Sequence, residues 1–208
     1  NHSFKKGLFE IQDASSQLVA PFIDLKPGMK ICDACAGAGG KTLHISCLTK
    51  NKGQIIAMDV YENKLLQLKK RARRNSCFNI ETRVIDNKTL KKFKGKFDRL
   101  LLDVPCTGLG VLRRNPDSKW KLNRDFFEQI KKIQLEILIK YSSLINTNGK
   151  IIYSTCSIFP SENEIQIQNF LNSKFGKQFV LEDEKKISPY KSGFDGFYIA
   201  KLELKKTC

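Results

Sequence analysis

Strand-like apolar runs alternate with helix-like ones along the 208 residues, which predicts an α/β fold with a doubly wound, mostly parallel sheet. Two further observations agree. A glycine-rich turn, Asp33-Ala34-Cys35-Ala36-Gly37-Ala38-Gly39-Gly40-Lys41-Thr42, lies where the first strand gives way to a helix. Two cysteines, Cys106 and Cys156, each follow an apolar strand-like run. Open α/β sheets keep their ligand sites at such strand ends.

The elements follow in order. Residues 30–33 form a short strand leading into the glycine turn, and 41–49 a helix. Residues 54–58 form the next strand, stopped by Asp59. Helix 62–75 carries Leu65, Leu66 and Leu68 among many basic residues, giving it a cationic face. A third strand, 80–85, ends near Asp86, and a fourth covers 97–102. A long loop, 104–123, precedes helix 125–144, whose Phe126, Phe127, Ile130, Ile133, Ile137, Leu138, Tyr141 and Leu144 keep helical spacing. Residues 150–153 make a fifth strand. Ser161-Glu162-Asn163-Glu164 reads as a capping box for a helix running to about Leu171. Runs 179–181 and 196–204 close the chain as a pair of strands. No internal repeat or inner linker is visible, so 1–208 reads as one catalytic domain.

With 41% apolar residues, the length suits one globular core. Lys and Arg number 37 against 21 Asp and Glu, a net +16 that favours a polyanionic partner, with a solvated Lys-rich surface as the bland alternative. No run approaches the roughly 20 apolar residues that span a bilayer, and no signal-peptide pattern opens the chain. Seven cysteines, an odd number set mostly in expected strands and helices, read as reduced thiols of a cytoplasmic enzyme. Only His2 and His44 stand near to supplement Cys32-x-x-Cys35, so no metal site is expected.

The glycine turn matches neither G-x-G-x-x-G nor the phosphate loop, which needs a glycine where Cys35 stands. Asp59 ends the second strand, where a carboxylate accepts hydrogen bonds from ribose hydroxyls. Asp86 ends the third, within reach of an adenine amino group. Carboxylates without a phosphate cradle suit a nucleoside cofactor carrying a cation, such as S-adenosylmethionine. The alternative for these aspartates is a turn or cap role.

In order and spacing, the motifs resemble those of the Sun/Fmu-type (RsmB-like) RNA (cytosine-5) methyltransferase family, catalytic domain. The segments that carry the resemblance are Phe9 to Leu18, Asp33 to Thr42, Asp103-Val-Pro-Cys-Thr-Gly-Leu-Gly110, Arg113 to Trp120, Tyr153-Ser-Thr-Cys156 on to Glu164, and Asp195-Gly-Phe-Tyr-Ile-Ala-Lys-Leu202. The resemblance implies a class I S-adenosylmethionine-dependent methyltransferase fold with an antiparallel C-terminal strand. It also implies methyl transfer to carbon 5 of cytosine in RNA, ribosomal rather than transfer. Cys35, Ala36, Gly37, Ala38, Gly39, Gly40, Lys41, Asp59, Asp86 and Asp103 are the expected cofactor contacts. The family commonly reads Cys-Ala-Ala-Pro-Gly-Gly-Lys-Thr where this chain has Cys35-Ala-Gly37-Ala38-Gly-Gly-Lys-Thr42, a change that loosens the turn and removes no functional side chain. The family usually carries RNA-binding segments before the catalytic domain, and none is expected here, which leaves substrate choice open.

Carbon 5 of cytosine is a poor nucleophile until a thiolate adds at carbon 6, so this chemistry needs an activated cysteine, a donor near ring nitrogen 3 and a base. The resemblance assigns the attack to Cys156 and product release to Cys106. In DNA cytosine-5 enzymes the Pro-Cys thiol attacks instead, which makes Cys106 the rival, and a buried structural thiol is its bland alternative. Asp103 is expected against the ring or the cofactor, held by the charge of Lys41. Arg113, Arg114, Lys119 and Trp120 are the expected RNA contacts, with Trp120 either stacking on a base or anchoring its loop. A monomer is expected. The competing functions are an idle RNA-binding or assembly factor, which would not need both cysteines and Asp103, and a DNA methyltransferase.

Overall fold

The computed structural model describes residues 2–205; Cys208 lies outside the described residues. Strands β1 (Lys30–Asp33), β2 (Gln54–Asp59), β3 (Ile80–Val84), β4 (Phe97–Asp103), β5 (Ile145–Thr155), β6 (Phe179–Ile187) and β7 (Phe197–Leu204) form one sheet in the order β3-β2-β1-β4-β5-β7-β6. From β3 across to β5 every pairing is parallel, whereas β7 runs antiparallel to both of its neighbours. This is the expected class I methyltransferase architecture. The longer helices are α1 (Gly40–Leu48), α2 (Glu62–Arg74), α3 (Asn87–Phe93), α4 (Arg124–Tyr141) and α5 (Glu164–Asn172).

Side-chain alternation along the strands builds a core on each face, with a smaller cluster of Ala57, Leu68 and Ala72 under α2. Cys32, Ile56, Leu100, Leu102, Ile151 and Tyr153 pack against Leu138 and Tyr141 of α4 and Ile167 and Phe170 of α5. Ile31, Ile55, Leu101, Ile152 and Ile199 meet Ile45 of α1 and Val19, Ala20 and Ile23 of the N-terminal segment. Burial on both faces explains why these strands read as unbroken apolar runs. Leu100, Leu101 and Leu102 are fully buried, each contributing roughly 1.5–3 kcal/mol.

Helix α3 spans much of the basic run 88–96, whose lysines are exposed while Phe93 is buried and Leu90 packs against the core. Three expectations are corrected. Strand β6 extends well past 181, as a charged edge strand that lacks the apolar alternation that would betray it. Helix α4 stops at Tyr141 and tightens into a 3₁₀ turn, Ser142–Leu144, before β5 starts at Ile145. The capping box does not form: Asn163 precedes α5 without a side-chain cap, Glu162 turns inward, and Glu164 pairs with Lys186 instead of reaching back.

Two basic residues of the cationic helix α2 are engaged. Arg71 and Arg74 both pair with Glu10, which accepts a further hydrogen bond from Asn75 at 2.6 Å, so this carboxylate fastens the N-terminal segment to α2.

Candidate active site

Strand order reverses between β1 and β4, and a cavity of about 790 Å³ opens at the carboxyl ends of β1, β2 and β4. Residues 35–41 form one wall, with Asp33, Asp59 and Asp103 at the strand ends and Tyr61, Lys64, Ile133, Ile137 and Tyr141 around them. Two glycines are required by the backbone. Gly37 (φ +52°) and Gly39 (φ +89°) both lie in the left-handed region. A Cβ at Gly39 would sit 2.5 Å from the Leu68 side chain, whereas one at Gly37 would project into open space. The turn therefore packs on α2 from one side and leaves its other side clear for a ligand.

Asp59 is buried and ties the wall together: its carboxylate accepts the Gly37 N–H at 2.8 Å and the Tyr61 N–H at 2.9 Å. Second lone pairs on both oxygens remain for hydroxyl donors. Asp86 is not brought here. It is exposed, and its side chain caps α3 by accepting the Thr89 N–H at 2.6 Å, which is the cap role considered for it.

Asp33, by contrast, is a site residue that sequence reasoning passed over as the start of the turn. It is 1% exposed, and one oxygen accepts the Thr42 hydroxyl at 2.7 Å. The other is buried with no partner. Burial pushes its pKa from the ordinary 3.8 up to about 7, opposed by the Thr42 hydrogen bond. An orphaned carboxylate oxygen on the wall of a cavity fits a cationic group such as an amino-acid ammonium. The donor set and the open turn fit S-adenosylmethionine in the same way.

Lys41, at the start of α1, donates to Asp103 Oδ2 at 2.6 Å, and the Ser154 hydroxyl donates to Oδ1 at 2.8 Å. The expected restraint of Asp103 by Lys41 is present, and Ser154 is a second partner that motif reading missed. Burial lowers the Lys41 pKa, but the Asp103 charge more than offsets this, so the net displacement is upward and the ammonium stays charged.

The loops after β4 and β5 bring Cys106 and Cys156 together, with sulfurs 3.3 Å apart and both thiols free and part-exposed. A hydrogen bond with Cys106 lowers the Cys156 pKa against the opposing effects of burial and the Asp103 charge, with Lys41 assisting. The same hydrogen bond, with burial, holds Cys106 well above the usual thiol range. The neighbours that make Cys156 acidic are therefore Cys106 first and Lys41 after it. Cys32 is fully buried inside β1 and its pKa is pushed well up, so it has no nucleophilic character. No group of three or more metal-ligating side chains occurs among the described residues.

Of the expected RNA contacts, Trp120 is 78% exposed, so it does not anchor its loop in the core. Lys119 lies over its ring at 4.7 Å. Arg113 donates to the Gly193 carbonyl, and Arg114 bonds buried Asp195 at 2.6 Å, which pins the loop beside the start of β7. Beyond Ser157 a second cavity, of about 500 Å³, is lined by Arg113, Ile158, Tyr190, Phe194 and Phe197. Among the described residues no helix is long and apolar enough to cross a membrane.

Residues 20–203 match the family model described as 16S rRNA methyltransferase RsmB/F. The chain is 35% identical over 206 residues to a ribosomal RNA small subunit methyltransferase B from Yersinia enterocolitica, covering 96% of this chain and 48% of that protein. A protein of the same name from Vibrio cholerae is 35% identical over 207 residues, covering 96% and 47%. Among solved structures, NSun6 from Pyrococcus horikoshii with SFG superposes with a TM-score of 0.89 at 29% identity, covering 100% of this chain and 56% of that one. The chain spans about half the length of the curated relatives it matches.

Proposed function

The chain belongs to the 16S rRNA methyltransferase RsmB/F family, and on that premise we propose that it methylates carbon 5 of cytosine in RNA, ribosomal rather than transfer, through a covalent Cys156 adduct. One observation carries the reading: two free thiols 3.3 Å apart, with pKa values displaced in opposite directions, beside the Lys41–Asp103 pair. A pure RNA-binding factor has no use for that arrangement. The relatives' names support ribosomal RNA as substrate. The solved neighbour holding SFG, an S-adenosylmethionine analogue, supports the cofactor.

Cys156 thiolate bonds to carbon 6 of the ring, which makes carbon 5 nucleophilic. Residues 35–41, Asp33, Asp59 and Asp103 would hold S-adenosylmethionine, which would supply the electrophilic methyl group to carbon 5 and leave as the neutral thioether. A base then removes the carbon 5 proton, the bond from Cys156 to carbon 6 breaks, and the thiolate returns, with Cys106 assisting that release. Lys41 and Asp103 offer a donor and an acceptor to the nitrogen edge of the base. The target cytosine must leave its stack to reach the sulfurs. Trp120 then stacks on a neighbouring base, and Lys119, with the remaining N–H groups of Arg113 and Arg114, contacts phosphate. In this reading residues 1–208 act as a catalytic domain and as a monomer, without a metal, in the cytoplasm.

Incubation with labelled S-adenosylmethionine and RNA fractions tests this. Cys156→Ala abolishes transfer and adduct, whereas Cys106→Ala lets a protein–RNA adduct accumulate on denaturing gels. An adduct that needs Cys106 and persists without Cys156 reverses the two roles. Cofactor binding without incorporation into any RNA overturns the enzymatic reading.

A further inference from the structure

One carboxylate touches the residue that follows each thiol. Glu162 is fully buried and lines neither cavity. Its Oε1 accepts the Thr107 backbone N–H and a Gln134 side-chain N–H, both at 2.9 Å. Its Oε2 accepts the Thr107 hydroxyl at 2.6 Å and the Ser157 hydroxyl. Thr107 follows Cys106 and Ser157 follows Cys156, so one side chain bridges both thiol loops. The second N–H of Gln134 reaches the Pro105 carbonyl at 3.0 Å, which steadies the Cys106 loop from its other side. The Glu162 carbonyl accepts the Tyr153 hydroxyl at 2.7 Å, which fixes the bridge to β5.

We propose that Glu162 is the positioning residue of the thiol pair: it ties the two loops in register and, through its charge, keeps the shared proton on Cys106 so that Cys156 carries the thiolate. The proposal rests on Cys156 being the attacking thiol. The groups that face Cys106 are Cys156, Glu162 and Tyr153, whereas Cys156 faces Cys106, Asp103 and Lys41. Each thiol faces a carboxylate, but they differ: the charge of Asp103 beside Cys156 is paired with Lys41, the one cation of the cluster, whereas Glu162 behind Cys106 has only neutral donors. Burial strengthens both effects, because little water intervenes to screen them.

Glu162→Gln separates the two roles. A glutamine fits the same space, and the Thr107 and Ser157 hydroxyls, which both donate and accept, can turn to receive its N–H groups. The tie survives and the charge is lost. Alkylation of the full chain by iodoacetamide, without RNA, is mapped by mass spectrometry across a pH series. In the unmodified protein Cys156 is labelled first and Cys106 only at higher pH. In Glu162→Gln the share of first label on Cys106 rises about tenfold, the equivalent of one pKa unit. Glu162→Asp keeps the charge but is one methylene short, so label stays on Cys156 while adduct formation with RNA slows. A Glu162→Gln protein labelled like the unmodified one at every pH overturns the proposal, as does a Glu162→Asp protein in which label moves to Cys106. First labelling of Cys106 in the unmodified protein instead overturns the assignment of the attacker beneath it.

Discussion

Asp33 and Glu162 are both buried carboxylates at the ligand edge of the sheet, and the fold treats them in opposite ways. Glu162 receives four donors, which leaves it no open lone pair for a ligand. Asp33 receives the Thr42 hydroxyl on one oxygen and nothing on the other. A satisfied buried charge organises its neighbours, whereas an unsatisfied one at a cavity wall costs stability until a ligand completes it. The thiol end of the site is accordingly preorganised, and the glycine-turn end is built to be finished by what binds there.

The largest effect that tests this contrast is the loss of Glu162 altogether. Glu162→Ala strands buried donors on both thiol loops and is expected to cost about 3 kcal/mol or more of stability, read as a lower urea midpoint. A loss as small as that of a surface substitution would break the comparison.

Asp33→Asn comes next and should behave differently. The folded-state pKa is raised, so the folded protein holds a proton that the unfolded chain has already released. Stability from this group is complete below the ordinary 3.8 and is lost as pH rises toward about 7. The melting temperature of the unmodified protein should therefore fall across that window, and Asp33→Asn should flatten the fall. The same variant should weaken binding of S-adenosylmethionine about tenfold or more, equivalent to about 1.4 kcal/mol, measured by calorimetry. Unchanged affinity would remove Asp33 from the cofactor site.

The smallest effect is expected at Asp86, whose side chain serves a helix rather than a ligand. Asp86→Ala should lower the melting temperature slightly and leave cofactor affinity alone. Weaker cofactor binding would return Asp86 to the role the sequence suggested for it.

What could be read from the chain follows from the range of the forces involved. Strands buried on both faces announce themselves as apolar runs, and the backbone demands at Gly37 and Gly39 leave glycines in plain view. Cys106 and Cys156 stood out by position alone. Glu162 did not, because its partners Thr107, Gln134 and Ser157 come from three separate segments, while its nearest neighbours in sequence imitate a helix cap. Edge strand β6 and helix α3 were obscured by their charge, since each buries only a few side chains. Thr42 beside Asp33 lay within the quoted motif, but only burial shows that a second oxygen of Asp33 goes unanswered.

The reversed strand β7 has a consequence for how the molecule comes together in time. Because β7 runs against its neighbours, it brings its beginning rather than its end to the reactive edge. Gly196 there donates to the Gly110 carbonyl, and Gly110 in turn donates to the Cys156 carbonyl. A chain emerging from its N-terminus can close the glycine-turn cavity largely from β1, β2 and β4 before β5 exists. The thiol edge must wait until β7 has paired with β5, after every other segment of that edge has been made. Vectorial synthesis thus gives an order of assembly in which the thiol edge of the site is the last to be completed.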